Sequence, residues 1–598
     1  MRKLIRFGSK LIAFAKYKLS VWRREWIKAY KRHVICKSLI KPIKEKTVLY
    51  DAFLGLGILD SPRAIFKRLL EREEFKDYVH IFTVSNKKIS KENLDEYSKL
   101  SNLLFVKRDS KKYIDYLHTA KYVISNSTVP PYYVRKENQV YLNTWHGVPL
   151  KIMGYERTGN RVISTENVVR NFLNATHLIG VNDFTISCMY KKAYLLDGIY
   201  EGIMIKEPLP RAELLINTEK SYVIQKLKQA GFNTEKKIIV YAPTWRGATY
   251  KKVKLSVSQL TTAVKRICNT IDTDVYQVYL RVHYFLYKAI KADREMRELC
   301  IPFTIDTNEL LSVTDILITD FSSIFFDFLT TRKPILFYIP DLEDYVGSRG
   351  IYIPMDEMPG PVTSEIPIIA EHIRNIESTH ITYRTKYETM RNWCISIDEI
   401  GACDRVIDTV FLGKDTVKAN LMNDKKKVLI MADWNTNFYG QAFLSDLFEQ
   451  IDYEKYDITL LTGSTKGNQR KLLEDLNRNV RILVNNKNMT SSISIRKRVF
   501  KALYEGKISL EEASCNLNME IEWKRLVGCG RFDLCIQFQP TVSYCNWLLL
   551  GYVAPVENKI LFKSYTYFPK TLSEDKYKYC DIETYEYDCI TKYFFENH

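Results

Sequence analysis

The sequence predicts an α/β protein of several domains built on parallel sheets. The chain has 598 residues, more than one hydrophobic core normally organises, so three or more folded units are expected. From Thr47 onward, short apolar runs alternate with helical segments, the pattern of parallel strands joined by crossover helices. Many of these runs end abruptly in polar residues, and the carboxyl ends of strands are where α/β sheets bind ligands.

The first 44 residues are strongly basic. Residues 1–44 hold 14 Lys and Arg and one acid, Glu25, so they carry about +13 of the net charge of +19. Apolar residues, Trp22 and Trp26 among them, recur at mostly three- and four-residue steps. This predicts a basic amphipathic helix suited to an anionic membrane surface, where each basic residue contributes about 1 kcal/mol. The alternative is a surface helix packed on its own domain, whereas nucleic acid is less favoured because no recognisable nucleic-acid-binding fold follows.

The charge and the cysteines restrict the class of protein. An overall pI of about 9.1 indicates an anionic partner: nucleic acid, anionic lipid or a phosphate-rich polymer. The 12 cysteines show no CxxC pair, which predicts reduced thiols in a cytosolic protein. No apolar run approaches the ~20 residues that span a bilayer, and no signal-peptide pattern is evident. We therefore expect a peripheral (monotopic) protein at the cytoplasmic face of the membrane.

The first α/β unit is predicted over residues 45–215. A helix starts at Asp60-Ser61-Pro62, and Gly55 and Gly57 in the loop before it are a weak phosphate-binding signal. The predicted strands are Val48–Tyr50, His80–Val84, Leu103–Val106, Tyr122–Ser125 and Tyr141–Thr144. The last strand runs into Trp145, His146 and Gly147 at the edge where ligands bind. His146 is therefore a functional candidate, with a purely structural histidine as the alternative.

The second unit is predicted over residues 216–420. Its strands are Lys237–Tyr241, Tyr276–Leu280, Ile316–Ile318 and Pro334–Tyr338. Polar side chains that follow these strands should meet at one edge of the sheet: Thr244, Arg246, Arg281, His283, Asp320, Ser322 and Ser323. Two such sheets facing each other would form a cleft suited to a nucleotide-diphosphate donor.

In the second unit, the stretch Asp315–Asp327 has the local pattern that most clearly predicts an anion site. A short apolar strand runs into the turn Thr319–Ser323, and the helix-compatible run Ile324–Leu329 follows. Backbone N–H groups at such a helix start, together with serine hydroxyls, can bind an anion. An ordinary capped strand–turn–helix is the alternative.

Six segments, taken in order, identify a family resemblance. They are Thr144–Lys151 (TWHGVPLK), Ala242–Arg246 (APTWR), Arg281–His283 (RVH), Leu317–Ser323 (LITDFSS) with Phe326-Asp327, Arg349–Tyr352 (RGIY) and Pro359–Pro361 (PGP). They resemble the motifs of the CDP-glycerol glycerophosphotransferases, the teichoic acid primases and polymerases with their ribitol-phosphate and capsule-polymer relatives. The resemblance covers roughly residues 45–400. It implies a GT-B-like pair of Rossmann-type domains and a monotopic membrane enzyme.

The resemblance also implies residue roles. His146 matches the general base, His283 a second histidine at the diphosphate, and Asp315 an acid that supports His283. Implied donor-binding residues are Trp145, Gly147, Pro149, Leu150, Arg211, Pro243, Thr244, Arg246, Arg281, Thr319, Asp320, Ser322, Ser323, Asp327, Arg349 and Gly350. The chain departs from the family at Ala212-Glu213, which replaces Asn-Asp, and at Phe321, which replaces Tyr. For Arg349, a salt bridge to Asp341 or Glu343 is the alternative.

Residues 421–598 form a further predicted α/β unit. Its strands are Val428–Ala432, Ile458–Thr462, Phe532–Phe538 and Lys559–Lys563. The unit resembles the N-terminal Rossmann half of a GT-B glycosyltransferase but is too short for both halves. We expect an acceptor-binding or interaction module, or a degenerate transferase.

The resemblance implies transfer of glycerol or ribitol phosphate from a CDP-activated donor to a lipid-linked polymer acceptor, with release of CMP. The alternatives are a GT-B glycosyltransferase that uses a nucleotide sugar and a non-catalytic, membrane-bound polymer-binding scaffold. The choice between CDP-glycerol and CDP-ribitol, the number of units added, self-association and a need for Mg²⁺ stay open, since no metal-ligand cluster is evident in the sequence.

Overall fold

The computed structural model describes residues 2–85, 96–97, 99–244, 250–282, 286–287, 290, 293–395, 397, 399–432, 438–485, 489–538, 544–563 and 578–581. Three sheets organise these residues, and apart from one edge strand all of their strands are parallel. The predicted α/β class with several parallel-sheet units is therefore confirmed.

The first domain is a doubly wound sheet. Its elements are α1 (Arg2–Leu39), β1 (Lys44–Asp51), α2 (Asp60–Glu71), β2 (Val79–Val84), β3 (Leu103–Lys107), α3 (Lys111–Thr119), β4 (Ala120–Ser125), β5 (Val140–Asn143), α4 (Arg161–Asn174), β6 (His177–Ile179) and β7 (Ile203–Ile205). The strand order is β7-β6-β5-β4-β1-β2-β3. Val48, Leu49 and Tyr50 of β1 have no exposed surface, as expected for a strand covered on both faces by helices. The order reverses between β1 and β4, which opens a crevice at their carboxyl ends.

Helix α1 is docked at one end and exposed along its middle. Val34 and Ile35 near its carboxyl end are buried, and the Ser38 hydroxyl lies 2.8 Å from Nδ1 of His118 on α3. By contrast, Trp22 and Trp26 are 65% and 55% exposed, on one stripe of the helix. Among the described helices, none is both long and apolar enough to cross a bilayer.

The second domain is a five-stranded parallel sheet of order β12-β11-β10-β8-β9. Its elements are α5 (Ala212–Asn217), α6 (Lys220–Gln229), β8 (Lys237–Ala242), α7 (Tyr250–Thr270), β9 (Tyr276–Leu280), α8 (Arg294–Leu299), α9 (Thr307–Val313), β10 (Ile316–Thr319), α10 (Ile324–Phe328), β11 (Ile335–Tyr338), α11 (Leu342–Arg349), β12 (Val362–Thr363), α12 (Ile366–Arg374), α13 (Ile376–Thr382) and α14 (Arg384–Cys394). The central strands β8 and β10 are apolar and almost wholly buried, so helices cover both faces.

The chain then returns to the first domain. Helix α15 (Ala402–Leu412) buries Val406 and Ile407 in the same core as β1, and β13 (Lys418–Ala419) pairs antiparallel with β7. Residues 402–419 therefore belong with the first sheet, not with the second unit, where the sequence boundary at residue 420 put them. The sequence did not reveal this because an apolar helix face does not identify the core that it will join.

The third domain is again doubly wound, with strand order β16-β15-β14-β17-β18-β19. Its elements are β14 (Lys426–Met431), α16 (Phe438–Gln450), β15 (Tyr456–Gly463), α17 (Gly467–Glu474), β16 (Arg481–Asn485), α18 (Ile493–Tyr504), α19 (Leu510–Leu517), α20 (Met519–Val527), β17 (Leu534–Phe538), α21 (Tyr544–Val553), β18 (Asn558–Lys563) and β19 (Lys578–Asp581).

The third domain shares a hydrophobic core with the first. Residues of α4 and of β14 to β17 lie in one continuous buried cluster. The Tyr155 hydroxyl donates to the carbonyl of Ile482 at 2.8 Å, and the amide of Cys529 donates to the carbonyl of Leu173 at 2.9 Å. The third domain is thus a packed part of the body rather than a tethered module.

A glycine pair tests this interface. Gly528 (φ +63°) faces the first domain, and an added Cβ would overlap the carbonyl oxygen of Leu173, whereas Gly467 (φ +58°) has no neighbour there among the described residues. We expect Gly467→Ala to cost about 1 kcal/mol of backbone strain and Gly528→Ala to lower the free energy of unfolding by clearly more. Thermal unfolding by circular dichroism measures both; equal losses would contradict the shared core.

Candidate active site

The first and second domains meet along the loop that follows β5. Val148 and Leu150 of this first-domain loop are buried in the core of the second domain. The amide of Tyr352 donates to the carbonyl of Leu150 at 2.8 Å, and the amide of Ile152 donates to the carbonyl of Gly350 at 3.2 Å. Gly350 (φ +72°) has a backbone conformation that favours glycine, and a Cβ there would also crowd the side chain of Ile152. Leu150 and Gly350, predicted as donor contacts, hold the domains together, and Pro149 is buried between Val148 and Leu150.

His146 lies where this loop leaves the strand. Its Nδ1 is 2.8 Å from the carbonyl oxygen of Asn126, and its ring stacks on Trp145 with centroids 4.3 Å apart. Because a carbonyl only accepts, Nδ1 carries the proton, which leaves the lone pair on Nε2. The side chain of Asn126 also accepts from the amide of Phe53, at 2.8 Å. The half-buried His146 is thus held in the tautomer that a general base needs.

A buried arginine links this loop to both domains. Arg211 donates through Nε and Nη2 to the two carboxylate oxygens of Asp327, at 3.0 and 2.8 Å. Its Nη1 donates to Asp60 at 2.8 Å and to the carbonyl of His146 at 3.0 Å. The Asp60 amide in turn donates to Asp306, the N-cap of α9, at 2.7 Å. One guanidinium therefore fixes the His146 backbone, the start of α2 and the second domain together.

The charges of this cluster depend on one another. Burial alone would lower the pKa of Arg211, but the carboxylates of Asp327 and Asp60 raise it, so the guanidinium stays charged. Burial raises the pKa of Asp327, the charge of Arg211 lowers it, and Asp60 adds to the increase. Arg211 therefore acts within an ion-pair network, whereas the sequence predicted that it would contact the donor phosphates.

The turn after β10 faces the His146 loop. Ser322 and Ser323 are partly exposed, and a Cβ placed on Gly147 would lie 3.2 Å from both the Ser323 hydroxyl and Nη2 of Arg211. Gly147 (φ +144°) thus allows the two domains to approach closely at the point where the predicted base and the predicted phosphate turn meet.

The residues on either side of this turn hold strand ends together. The Thr319 hydroxyl donates to the carbonyl of Ala242 at 2.8 Å. The carboxylate of Asp320 accepts from the amide of Thr244 at 2.8 and 3.0 Å. Lys151 of the first domain reaches the Thr244 hydroxyl at 3.4 Å, so a cation lies at this edge.

A cavity of about 410 Å³ opens beside Thr244 and Asp320. Its size is within the range of small-molecule sites. Its further lining residues are Tyr241, Pro243, Ser258, Gln259, Leu260, Thr262, Ala263, Arg266, Leu286, Tyr338, Pro340, Asp341 and Ile366. Aromatic, hydroxyl and charged groups are therefore available to a ligand next to the cleft.

Arg281 differs from its prediction. It is buried, donates to Thr307 Oγ1 at 3.0 Å and to the carbonyl of Pro302 at 2.9 Å, and lies 4.6 Å from the ring centroid of Phe303. Burial lowers its pKa. Its described contacts support the 302–307 loop, which carries Asp306, rather than the cleft.

Asp315 lies at the amino end of β10, and the serine turn follows the carboxyl end. It precedes β10, and its carboxylate accepts from the Ile238 amide at 2.8 Å and contacts Lys333 at 3.4 Å. The site residues follow the carboxyl end of β10, about 10–13 Å away along a four-residue strand. His283 lies outside the described residues, so its support by Asp315 stays a prediction.

The remaining predicted site residues are Arg246, His283 and Arg349. Arg246 and His283 lie outside the described residues. Arg349 is half-exposed, and no ion pair joins it to Asp341 or Glu343 in the described part of the chain. Within the same part, no group of three or more His, Cys, Asp or Glu could hold a metal ion.

Asp60 and Lys151 are site residues that sequence analysis missed. Asp60 was interpreted only as a helix start, although it follows the carboxyl end of the first strand, where ligands and interdomain contacts concentrate. Lys151 was part of a quoted motif but was given no role. Its position at the second domain depends on the interdomain contact, which local pattern does not encode.

Comparison with known proteins identifies the family. The family model described as CDP-Glycerol:Poly(glycerophosphate) glycerophosphotransferase matches residues 34–412, more than half of the chain. The chain belongs to this family. The match covers the first two domains and ends before the third.

The relatives agree with this assignment. The teichoic acid poly(glycerol phosphate) polymerase of Bacillus spizizenii is 34% identical over 55% of this chain and 84% of its own length. The teichoic acid glycerol-phosphate transferase of Staphylococcus aureus is 24% identical over 62% of this chain and 95% of its own length. The chain spans about half, 51%, of a third relative, the poly(glycerol phosphate) polymerase of Staphylococcus epidermidis, at 27% identity.

A solved structure of the wall teichoic acid polymerase TagF resembles this fold. It has a TM-score of 0.53 and 26% sequence identity, and it covers 67% of this chain and 96% of its own. A histidine variant of TagF soaked with CDPG matches equally well, with a TM-score of 0.54 and 25% identity.

Replacement of Arg211 tests the interdomain cluster. Arg211→Met leaves the buried carboxylates of Asp60 and Asp327 unpaired, so we expect the free energy of unfolding to fall by about 3–5 kcal/mol. Arg531→Met removes the 78%-exposed partner of Glu201 and should cost less than about 1 kcal/mol. Chemical denaturation measures both; similar costs would show that the cluster does not hold the domains.

Proposed function

We propose that the chain transfers an alditol phosphate from a CDP-activated donor to a hydroxyl of a lipid-linked acceptor, and that CMP leaves. The product would be a teichoic acid or a capsule-like cell-surface polymer. The observation that carries the proposal is the placement of His146, with its Nδ1 held by Asn126, beside the serine turn of a second domain in a chain of this family.

The chemistry follows from the atoms that must move. The acceptor hydroxyl oxygen attacks the β-phosphorus of the donor and forms a new P–O bond. The bond from that phosphorus to the bridging oxygen breaks, and CMP takes its electron pair. Nε2 of His146 accepts the proton of the hydroxyl.

The second-domain side of the cleft carries the groups that would hold the donor. The turn Thr319–Ser323 offers hydroxyls and backbone amides to the phosphates, and Lys151 adds a positive charge near Thr244. We also propose His283 and Arg246 as residues that hold the donor, because of the motifs to which they belong. If Mg²⁺ takes part, it would enter with the donor diphosphate.

The first two domains would act as a GT-B-like pair, with the reaction at their boundary. CDP-glycerol is the favoured donor, because the glycerol phosphate polymerase of Bacillus spizizenii is 34% identical to this chain and the poly(ribitol-phosphate) polymerase of the same organism 28%. Turnover would take place at the cytoplasmic face of the membrane, where the lipid-linked acceptor is anchored.

A donor panel tests the proposal. The full chain is supplied with a lipid-linked acceptor and, in turn, CDP-glycerol, CDP-ribitol and UDP- or GDP-sugars, with and without Mg²⁺, and the released nucleotide and product length are measured. CMP release from a CDP-alditol is expected. UDP or GDP release without any response to CDP-alditols would favour a glycosyltransferase, and no release from any donor would favour a binding scaffold.

His146→Gln tests the base. Glutamine cannot accept the proton at neutral pH, so CMP release should fall by about 10²–10⁴-fold, with a melting temperature close to that of the wild type. His372→Gln is the matched control, since His372 contacts Thr379 within the helices of the second domain. Full activity of His146→Gln would refute the assignment.

The exposed stripe of α1 is proposed to contact the membrane. Trp22 and Trp26 are large aromatic side chains on a basic helix, a composition that suits an anionic lipid interface. Trp22→Ser with Trp26→Ser should weaken binding to phosphatidylglycerol vesicles severalfold in a sedimentation assay. Ile381→Ser, at a 69%-exposed position of the second domain, is the control; equal binding of both proteins would contradict the anchor.

A further inference from the structure

Two arginines from different domains come together beside the cleft. The Thr158 hydroxyl donates to the carbonyl of Ser348 at 3.3 Å, which places Arg157 of the first domain next to Arg349 of the second. The surrounding segments are fixed, because the Tyr352 hydroxyl donates to the Glu156 carboxylate at 2.5 Å. The contacts that join the domains therefore bring the chain at Arg157 close to the chain at Arg349, and the charge of Arg349 acts on Arg157.

Among the described residues, no carboxylate forms an ion pair with either of these like charges. Within the described residues, neither guanidinium makes a side-chain hydrogen bond or an ion pair. Burial lowers the pKa of the half-buried Arg157, and the charge of Arg349 lowers it further. Glu474 raises the pKa of Arg157, but by less than Arg349 lowers it, and its carboxylate accepts from the amide of Val162 at 3.0 Å. Unpaired like charges held together are costly unless an anion binds them.

The position of the two arginines indicates which anion they would bind. A Cβ placed on Gly154, three residues before Arg157, would lie 3.2 Å from the ring of Tyr194. The ring centroid of Tyr194 lies 6.0 Å from that of Trp145, and Trp145 stacks on His146. The serine turn lies beside Gly147, the residue that follows His146, where Ser323 faces it. In an in-line displacement the nucleophile approaches from the side opposite the leaving group, so the acceptor should come from the arginine side.

We propose that Arg157 and Arg349 form a subsite for a phosphodiester of the acceptor polymer, next to the hydroxyl that is extended. Guanidinium groups suit this ligand because they bind phosphate oxygens in bidentate fashion. The neighbouring residues Thr158, Gly159 and Asn160 are exposed, so a chain can enter from solvent. The inference rests on the proposed transferase function, and it reassigns Arg349 from the donor to the acceptor.

Binding of a fluorescent oligo(glycerol phosphate) to the full chain, read by anisotropy, tests the subsite without turnover. Arg157→Ala should weaken binding about tenfold, the loss expected for one charge-assisted contact, and Arg157→Lys should lose less. Affinity for CDP-glycerol should stay within twofold. Arg384→Ala removes an exposed arginine of α14 and should leave both affinities unchanged.

The same variants are then compared in turnover. Arg157→Ala should raise the KM for a lipid-linked acceptor that carries phosphodiesters, with kcat nearly unchanged, and should affect an acceptor without phosphodiesters less than twofold. Unchanged oligomer binding, an equal loss in Arg384→Ala, or a matching loss of CDP-glycerol affinity would overturn the subsite. If Arg157→Ala lowers the melting temperature, the same measurements are made on Arg349→Ala instead. A wild-type chain inactive with every CDP-alditol would count against the proposed function, whereas the binding assay would still decide on the subsite.

Discussion

The arrangement of the cleft depends on the guanidinium of Arg211. This side chain is 5% exposed and joins Asp60 of the first domain to Asp327 of the second while it binds the carbonyl of His146. A buried charge without partners would cost several kcal/mol, so the domains cannot separate without replacing these contacts. The interaction that holds the domains together thus also fixes the backbone of the proposed base.

The Arg211 cluster also selects one arrangement of the two domains, which is a different effect from stabilising them. Ion-pair clusters of this kind often add little net stability compared with apolar packing, but they require one geometry. Here that geometry sets Gly147 against Ser323 and leaves room beside Thr244 for a ligand-sized cavity. Val148 and Leu150 bury apolar surface between the domains, and the hydrogen bonds of Arg211 set the position of one domain against the other.

The sequence predicted the sheets well because parallel strands buried on both faces are continuous apolar runs, such as Val48–Tyr50 and Ile316–Ile318. It also predicted that His146 and the serine turn would meet, since both follow the carboxyl ends of strands. It did not predict the partners of Arg211 and Arg281, because a motif marks a residue as important without showing whether it contacts a ligand or another side chain. The return of α15 to the first domain and the core shared with the third were missed for a similar reason. An apolar helix face shows that it will be buried but not against which sheet.

The central claim is that a phosphoryl group passes from donor to acceptor at the boundary of the first two domains. CDP-glycerol carrying a radioactive label in its β-phosphate tests this most directly, with a lipid-linked acceptor and the wild-type chain. The account predicts that the label enters the lipid-linked product while the released CMP is unlabelled. Label that leaves in CDP, or as soluble phosphate with no gain in the polymer, would contradict it.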